Sequence, residues 1–173
     1  MKTFISAIAT SCLLLAAGQS LAADKPTDPQ IAHIAYTAGA IDVDAAKLAL
    51  SKTKNKDVEA FAQSMKKDHE AVNEKALALV KKLKVTPENN PTSQALAKAA
   101  KDKQAELGKL DGAAFDKAYM DNEVAYHKQV NGALETVLIP SADNKDLKSL
   151  LETGLKLFQG HEQHAEHVAM ELK

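Results

Sequence analysis

Four histidines recur along the chain, one in each of four segments that have helical periodicity: His33, His69, His127 and His161. Imidazole is the commonest metal ligand in proteins, and a buried imidazole is costly unless it has a partner. The remaining residues of these segments are mostly Ala, Leu, Lys and Glu. The pattern therefore predicts a helical bundle whose inward polar groups bind a metal.

The spacing of the apolar residues predicts which polar side chains point inward. His69 lies on the apolar stripe of its segment, and His161 follows Leu157 by four residues. Residues four apart lie on one face of a helix, so both histidines should face the interior. Glu123 and His127 are also four apart and should share a face.

Depth along the bundle can be estimated by folding each helical hairpin about its loop. A first turn near residue 54 places Asp42 within about one helical turn of His69, and a second near residue 141 sets His161 roughly level with Glu123. His33 falls about two turns away. We expect the inward residues to bind one transition metal (zinc, copper, iron or manganese), because mixed imidazole and carboxylate donors suit these ions. The predicted inner ligands are Asp42, His69, Glu123, His127 and His161.

The last helical segment carries a further histidine pattern at its end. His161, His164 and His167 follow one another at intervals of three residues. His161 and His164 can share a metal, whereas His167 turns toward solvent. We therefore add His164 to the predicted ligands, with a solvated helix end as the alternative interpretation.

The elements that must position these residues are helices throughout. Pro29 opens the first, with Asp28 as its predicted N-cap, and Pro140 marks the predicted stop of the third core helix. A shorter Ala- and Lys-rich helix has few large apolar residues and is predicted to cross back outside the core. The fold class is therefore all-α: a ferritin-like four-helix bundle with a long helical crossover between the second and third core helices. The predicted helices cover approximately residues 29–51, 57–86, 93–107, 113–138 and 144–172.

The first residues predict export. Met1 and Lys2 give a positive start, residues 4–17 are almost uninterruptedly apolar, and Ser20-Leu21-Ala22 offers small residues for cleavage. We expect a cleaved signal peptide, residues 1–22, one domain over residues 23–173, and no membrane span after cleavage. The single cysteine, Cys12, lies in the segment removed, so thiol ligands and disulfides are excluded from the mature domain.

The composition argues against nucleic-acid binding. Every basic residue is Lys or His, with no Arg and no Trp, and aromatic residues are few. Arg supplies bidentate phosphate and base-edge recognition, and aromatic side chains stack on bases. We therefore expect no nucleic-acid partner. Any partner is expected to be a protein of the cell envelope, and the sequence does not determine the oligomeric state.

One group of residues resembles a known family, the exported bacterial domain of unknown function DUF4142. The resemblance covers nearly the whole mature chain, and the pairs Asp68-His69 and Phe115-Asp116 are its most recognisable part. It implies a ferritin-like fold and a periplasmic or outer-membrane-associated setting, but no established reaction. The other residues that carry it are Phe61-Ala62, Met65, Tyr119, His127 and His161.

The chain departs from ferritin-like diiron enzymes, which use a Glu-x-x-His pair on each of two helices. No such pair occurs here, because three residues separate Glu123 from His127. Diiron oxidase chemistry and iron storage are therefore not expected, and no phosphate loop or nucleophile motif indicates an enzyme. The alternative to a metal site is a metal-free bundle that acts as a structural or envelope-stress interaction module. In that case Asp68, Asp116, Tyr119 and Glu123 would bond the inward histidines.

Overall fold

Long helices make up most of the computed structural model, which describes residues 25–172, and none of these residues forms a strand. A π-helical turn, Leu134–Leu138, follows the fourth helix. Among the described residues, no helix is long and apolar enough to cross a membrane. The predicted signal peptide lies outside the described residues and stays a prediction. The helices are α1 (Asp28–Lys52), α2 (Lys56–Leu83), α3 (Pro91–Leu107), α4 (Gly112–Ala133), α5 (Ile139–Ser141) and α6 (Lys145–Glu171).

The connections between helix ends confirm the predicted ferritin-like bundle. Lys52 at the end of α1 bonds the Gly108 carbonyl at 3.1 Å and pairs with Asp111 at 2.9 Å, so α4 begins beside the end of α1. Lys82 near the end of α2 pairs with Asp146 at the start of α6, also at 2.9 Å. Helix α2 therefore runs parallel to α4, and α3 crosses back along α1 between them, as one long crossover requires.

The helix boundaries follow local capping chemistry. Asn55 and Asn144 accept backbone N–H groups at the starts of α2 and α6. The predicted cap Asp28 is wrong by one residue, because Thr27 forms a capping box with Gln30. The Asp28 carboxylate instead accepts the N–H groups of Asp143 and Asn144, each at 2.9 Å. It therefore ties the start of α1 to the start of α6.

The third core helix does not stop at Pro140 as predicted. The chain passes through the π-helical turn and continues helically through the proline to Ser141. A proline inside an α-helix clashes with the carbonyl four residues before it. The π turn holds one more residue than an α turn and changes which carbonyl stands beneath the proline ring, so the helix extends beyond it.

Two apolar clusters fill the bundle. One, which we call the closed end, is built on fully buried large side chains of α2 and α4: Phe61, Met65, Phe115, Tyr119 and Met120. The other, which we call the open end, contains Ile34, Leu134, Leu138, Leu147, Leu151 and Phe158. The predicted inward polar residues lie between these two clusters along the helices.

Candidate metal centre

Five of the six predicted ligands lie together inside the bundle. Helix α1 provides one, α2 one, α4 two and α6 one, and every one of them is at least 95 % buried. Each faces inward because it occupies the position on its helix where the apolar stripe continues. We call this group the polar centre; its members are Asp42, His69, Glu123, His127 and His161.

The polar centre contains two overlapping sets of candidate ligands. In the first set, one nitrogen from each of His69, His127 and His161 lies within 4.8 Å of the others. In the second, one oxygen from Asp42, one from Glu123 and one nitrogen from His127 are equally close. His127 belongs to both sets, so the two sets adjoin rather than form separate sites.

His127 is held in one tautomer by the backbone of its own helix. Its Nδ1 lies 2.9 Å from the carbonyl oxygen of Glu123. A carbonyl only accepts hydrogen bonds, so Nδ1 carries the proton and donates it. The Nε2 atom of the neutral ring then presents a lone pair to the interior, where it is buried and has no hydrogen-bond partner.

His161 is oriented in the same way by a carboxylate of another helix. Its Nε2 lies 3.1 Å from Oδ2 of Asp68 on α2, and this carboxylate also accepts the Ser64 hydroxyl at 3.4 Å. The carboxylate accepts the Nε2 proton, so the inward Nδ1 of His161 carries the lone pair. That atom is also buried without a partner.

His69 is positioned mainly by packing. Its ring stacks on Phe158 of α6, with ring centroids 4.6 Å apart and an angle of 10° between the planes. Its Nε2 lies 3.4 Å from Asp42 Oδ2, within ion-pair distance, but neither ring nitrogen makes a hydrogen bond. Neither tautomer of the neutral ring is fixed by a hydrogen bond, so either nitrogen, but not both together, can offer its lone pair to a metal.

The unpaired atoms of the polar centre are unusual for a protein interior. Buried polar side chains nearly always have a hydrogen-bond partner. Here seven nitrogen and oxygen atoms of the five residues have none, and Tyr119 Oη and Asp116 Oδ1 on α4 add to them. The seven atoms are Asp42 Oδ1, both nitrogens of His69, both carboxyl oxygens of Glu123, His127 Nε2 and His161 Nδ1.

Burial sets the protonation states of the centre. It lowers the pKa of His69 to about 2 and that of His127 to about 4, and it also lowers the pKa of His161. All three imidazoles are therefore neutral near pH 7, the form that binds a metal. Burial raises the pKa of Glu123 to about 8 and that of Asp42 well above its ordinary range, with the Glu123 charge adding to the shift of Asp42.

This chemistry fits a divalent transition metal. Three neutral imidazoles and two carboxyl groups are donors that zinc, copper, iron and manganese accept. A divalent cation would offset the two carboxylate charges, whose burial raises their pKa values. Within each set the ligand atoms lie within 4.8 Å of one another, so the arrangement of the residues can hold such an ion.

The remaining predicted histidines lie elsewhere. His164 is exposed on α6, and its ring contacts the edge of Phe61 with ring centroids 5.2 Å apart. It belongs to neither ligand set. His33, predicted to lie about two turns from the inner ligands, has its Nδ1 atom 3.4 Å from Thr37 Oγ1 and is also outside both sets.

Sequence reasoning missed two residues that position the ligands. The stripe predicted for α6 included Leu157, which is 36 % exposed, whereas the neighbouring Phe158 is buried and stacks on His69. The sequence predicts Asp68 as a hydrogen-bond partner of the inward histidines for the metal-free bundle alone, and the structure shows that it bonds His161. The sequence signal for this role is the position of Asp68 directly before His69, because adjacent residues of a helix face different neighbours.

Comparisons with known proteins bear on the family and the fold of this chain. A family model described as "Domain of unknown function (DUF4142)" matches residues 14–168. No curated protein matches the chain. A crystal structure of a DUF305 protein from Streptomyces coelicolor, inferred to be secreted, is similar with a TM-score of 0.70 and 10 % identity. The alignment covers 83 % of this chain and 91 % of that one, and at this identity it shows a shared fold alone.

Proposed function

We propose, for a chain that belongs to the DUF4142 family, that the polar centre binds one divalent transition-metal ion. The observation that carries this proposal is the set of seven unpaired buried ligand atoms on four helices. A metal would bind one nitrogen or oxygen atom from each of several of these residues, which are the donor types that transition metals accept. The proposed ligands are Asp42, His69, Glu123, His127 and His161.

The distribution of hydrogen bonds supports a metal over a closed polar network. In His127 and His161 the outer nitrogen is bonded and the inner one is not. Ligating histidines show this pattern, since the outer bond fixes the ring and its tautomer while the other nitrogen binds the metal. A structural network would instead pair the inner atoms with one another.

The proposed ion is zinc, copper, iron or manganese, held as a single metal. His127 offers one free nitrogen, so the two ligand sets that share it serve one ion better than two. Charge compensation favours the divalent state, because Asp42 and Glu123 supply two negative charges once they ionise. The role we propose is binding of the metal, with no reaction assigned to it.

We place this function outside the cytoplasm. The N-terminal segment has the pattern of a cleaved signal peptide over residues 1–22, which leaves one domain over residues 23–173. The DUF305 protein of similar fold is inferred to be secreted, which agrees with export of this chain. The periplasm is therefore the proposed compartment.

A second candidate is a metal-free bundle that binds an envelope protein. The observation that favours it is the raised pKa of Glu123 and Asp42, because a protonated carboxyl group can donate a hydrogen bond to a neutral imidazole. His69 Nε2, 3.4 Å from Asp42 Oδ2, could accept such a bond after a small movement. The two candidates differ in whether the purified protein binds metal.

Metal analysis separates them. Untagged mature protein from the periplasm should contain about one metal ion per chain by mass spectrometry. Calorimetric titration of the stripped protein with zinc and copper(II) should show one tight site, with protons released as Glu123 and Asp42 ionise. Protein that is folded and binds both ions only weakly would favour the metal-free candidate.

Variants then locate the site. His69→Ala combined with His161→Ala should abolish tight binding, whereas His167→Ala, on the exposed part of α6, should leave it unchanged. Asp68→Asn should weaken binding about 10- to 100-fold, because it removes only the group that orients His161. A double variant that keeps stoichiometric, tight binding would overturn the ligand assignment.

A further inference from the structure

A large cavity occupies the open end of the bundle. Its volume is about 890 Å³, which is near the upper limit of the range of small-molecule sites, roughly 300–1,000 Å³. The bordering residues are mostly aliphatic and come from α1, α2, α3, α4, the π-helical turn and α6, with Ile34, Val72, Leu134 and Leu151 among them. The cavity is separate from the polar centre, although Phe158 borders both.

The cavity is elongated along the helix axes. On α1 its wall runs from Gln30 to Gly39, and on α6 from Leu147 to Phe158. At a rise of 1.5 Å per residue these stretches span roughly 13–17 Å. An extended alkyl chain can lie along such an elongated apolar volume.

The charges around the cavity favour one kind of headgroup. Of the described residues that line it, Lys25 alone is charged, and Lys25 precedes α1 at the end where the wall begins. Its ammonium group pairs with Asp143 at 2.8 Å, and both side chains are more than half exposed. An exposed ion pair contributes little to stability, so a ligand carboxylate can compete for Lys25 at little cost.

The wall also contains backbone that differs from a regular helix. The π-helical turn contributes Leu134, Thr136, Val137 and Leu138 to the lining. π-helical turns occur frequently at functional sites. This turn places additional side chains on the cavity side of the helix, which supports a role in shaping a binding site.

From these observations we propose that the open end binds a medium-chain fatty acid, with its alkyl chain in the cavity and its carboxylate beside Lys25. The alkyl chain would cover the aliphatic wall from Gln30 toward Phe158. Binding does not depend on a metal in the polar centre, so this proposal and the metal proposal can fail separately.

Titration of the delipidated mature protein with octanoate, decanoate and laurate tests the proposal. The affinity should rise about fourfold for each added methylene, because burying one methylene group contributes about 0.8 kcal/mol to binding. Dodecanol should bind more weakly than laurate because it lacks the carboxylate. An affinity independent of chain length would overturn the proposal.

Variants of the wall and the mouth make the test specific. Ala76→Phe places an aromatic ring in the cavity and should weaken laurate binding at least tenfold, whereas Ala78→Phe, on the exposed face of the same helix, should not. Ala35→Leu, also on the wall, is a second filling variant should Ala76→Phe not fold. Lys25→Gln should remove the preference for laurate over dodecanol, while the exposed Lys145→Gln keeps it.

The oligomeric state provides the remaining outcome. Analytical ultracentrifugation of the free protein should show a monomer at the concentrations used for titration. A dimer that Ala76→Phe dissociates, together with no laurate binding, would show that a second copy of the chain covers the open end. That result would overturn the fatty-acid proposal.

Discussion

The closed end and the open end are built from the same helices but differ in how completely they are packed. At the closed end, Phe61, Phe115 and Tyr119 are fully buried, and the Tyr119 ring lies 6.2 Å from that of Phe61 and 6.0 Å from that of Phe115, centroid to centroid. At the open end, aliphatic residues border a cavity of about 890 Å³. Three aromatic side chains therefore fill the closed end, whereas the open-end cluster contains one, Phe158.

This difference bears on the polar centre because the centre touches both ends. His127 is fixed by the backbone of α4, and His161 by Asp68, which leaves little freedom for either ring. His69 is fixed by Phe158, which lines the cavity. The His127 and His161 rings are therefore each held by a hydrogen bond, whereas the His69 ring contacts the open end through Phe158.

The largest expected effect comes from truncating a side chain at each end. Phe61→Ala should lower the free energy of unfolding by about 3–5 kcal/mol, because it leaves a cavity in a well-packed region. Leu151→Ala should cost about 2 kcal/mol, near the lower limit for such changes, because the side chain already borders open space. Urea denaturation of the two variants measures the difference. Equal losses would show that the two ends are packed alike.

A smaller effect is expected from pH, and it should arise in the polar centre alone. The pKa of Glu123 is raised by burial to about 8, and that of Asp42 is also raised, so both keep a proton in the folded chain where the unfolded chain has lost it. Stability of the metal-free protein should therefore fall as the pH rises from about 6.5 to 8, by on the order of 2 kcal/mol for Glu123. The histidines lower the stability toward acid pH. Burial lowers their pKa values, so the unfolded chain binds protons at a higher pH than the folded chain does.

Denaturation at several pH values with a chelator present measures this response. Glu123→Gln should flatten the decline above pH 6.5, which depends on the proton that Glu123 keeps. Glu152→Gln, on the exposed face of α6, is the matched control and should leave the pH profile unchanged. A decline that survives Glu123→Gln undiminished would place its source outside this carboxyl group.

The smallest expected effect compares two glycines of α6. Gly160→Ala adds a methyl group that meets nothing within 4 Å, so it should stabilise the helix by about 0.5–1 kcal/mol. At Gly154 the methyl group would lie 3.3 Å from the Phe158 ring, which must move toward the cavity. We expect the net change there to lie within about 0.5 kcal/mol of zero. A loss above about 1 kcal/mol by urea denaturation would show that Phe158 is held as firmly as the closed end.

Local signals in the sequence were enough to predict the fold. The helical spacing of apolar residues, Pro29 at a first turn and the poverty of α3 in large apolar residues predicted the all-helical bundle and its crossover, which the structure confirms. The errors lie at Asp28, which bonds the start of α6, and at Pro140, which the helix passes. Both depend on partners or backbone shifts that local propensity does not contain.

The site was predictable in its members but not in its detail. Helical spacing selected five residues that the structure brings together, because inward positions at similar depth in a bundle must meet. It placed His164 among them, yet this residue is exposed, since a step of three residues rotates about 60° away from the His161 direction in the helix. It also placed Leu157 rather than Phe158 on the inward stripe of α6, so the stacking of Phe158 on His69 was not predicted.

The sequence by itself determined the helices, their order and the inward placement of histidines and carboxylates, because the 3.6-residue period and capping residues act over a few residues. The tertiary structure alone decided which nitrogens of His127 and His161 are bonded and which remain free. It also decided that Phe61, Phe115 and Tyr119 pack together at one end while mostly aliphatic residues border a cavity at the other. These features depend on distances between helices, which packing sets and no local pattern records.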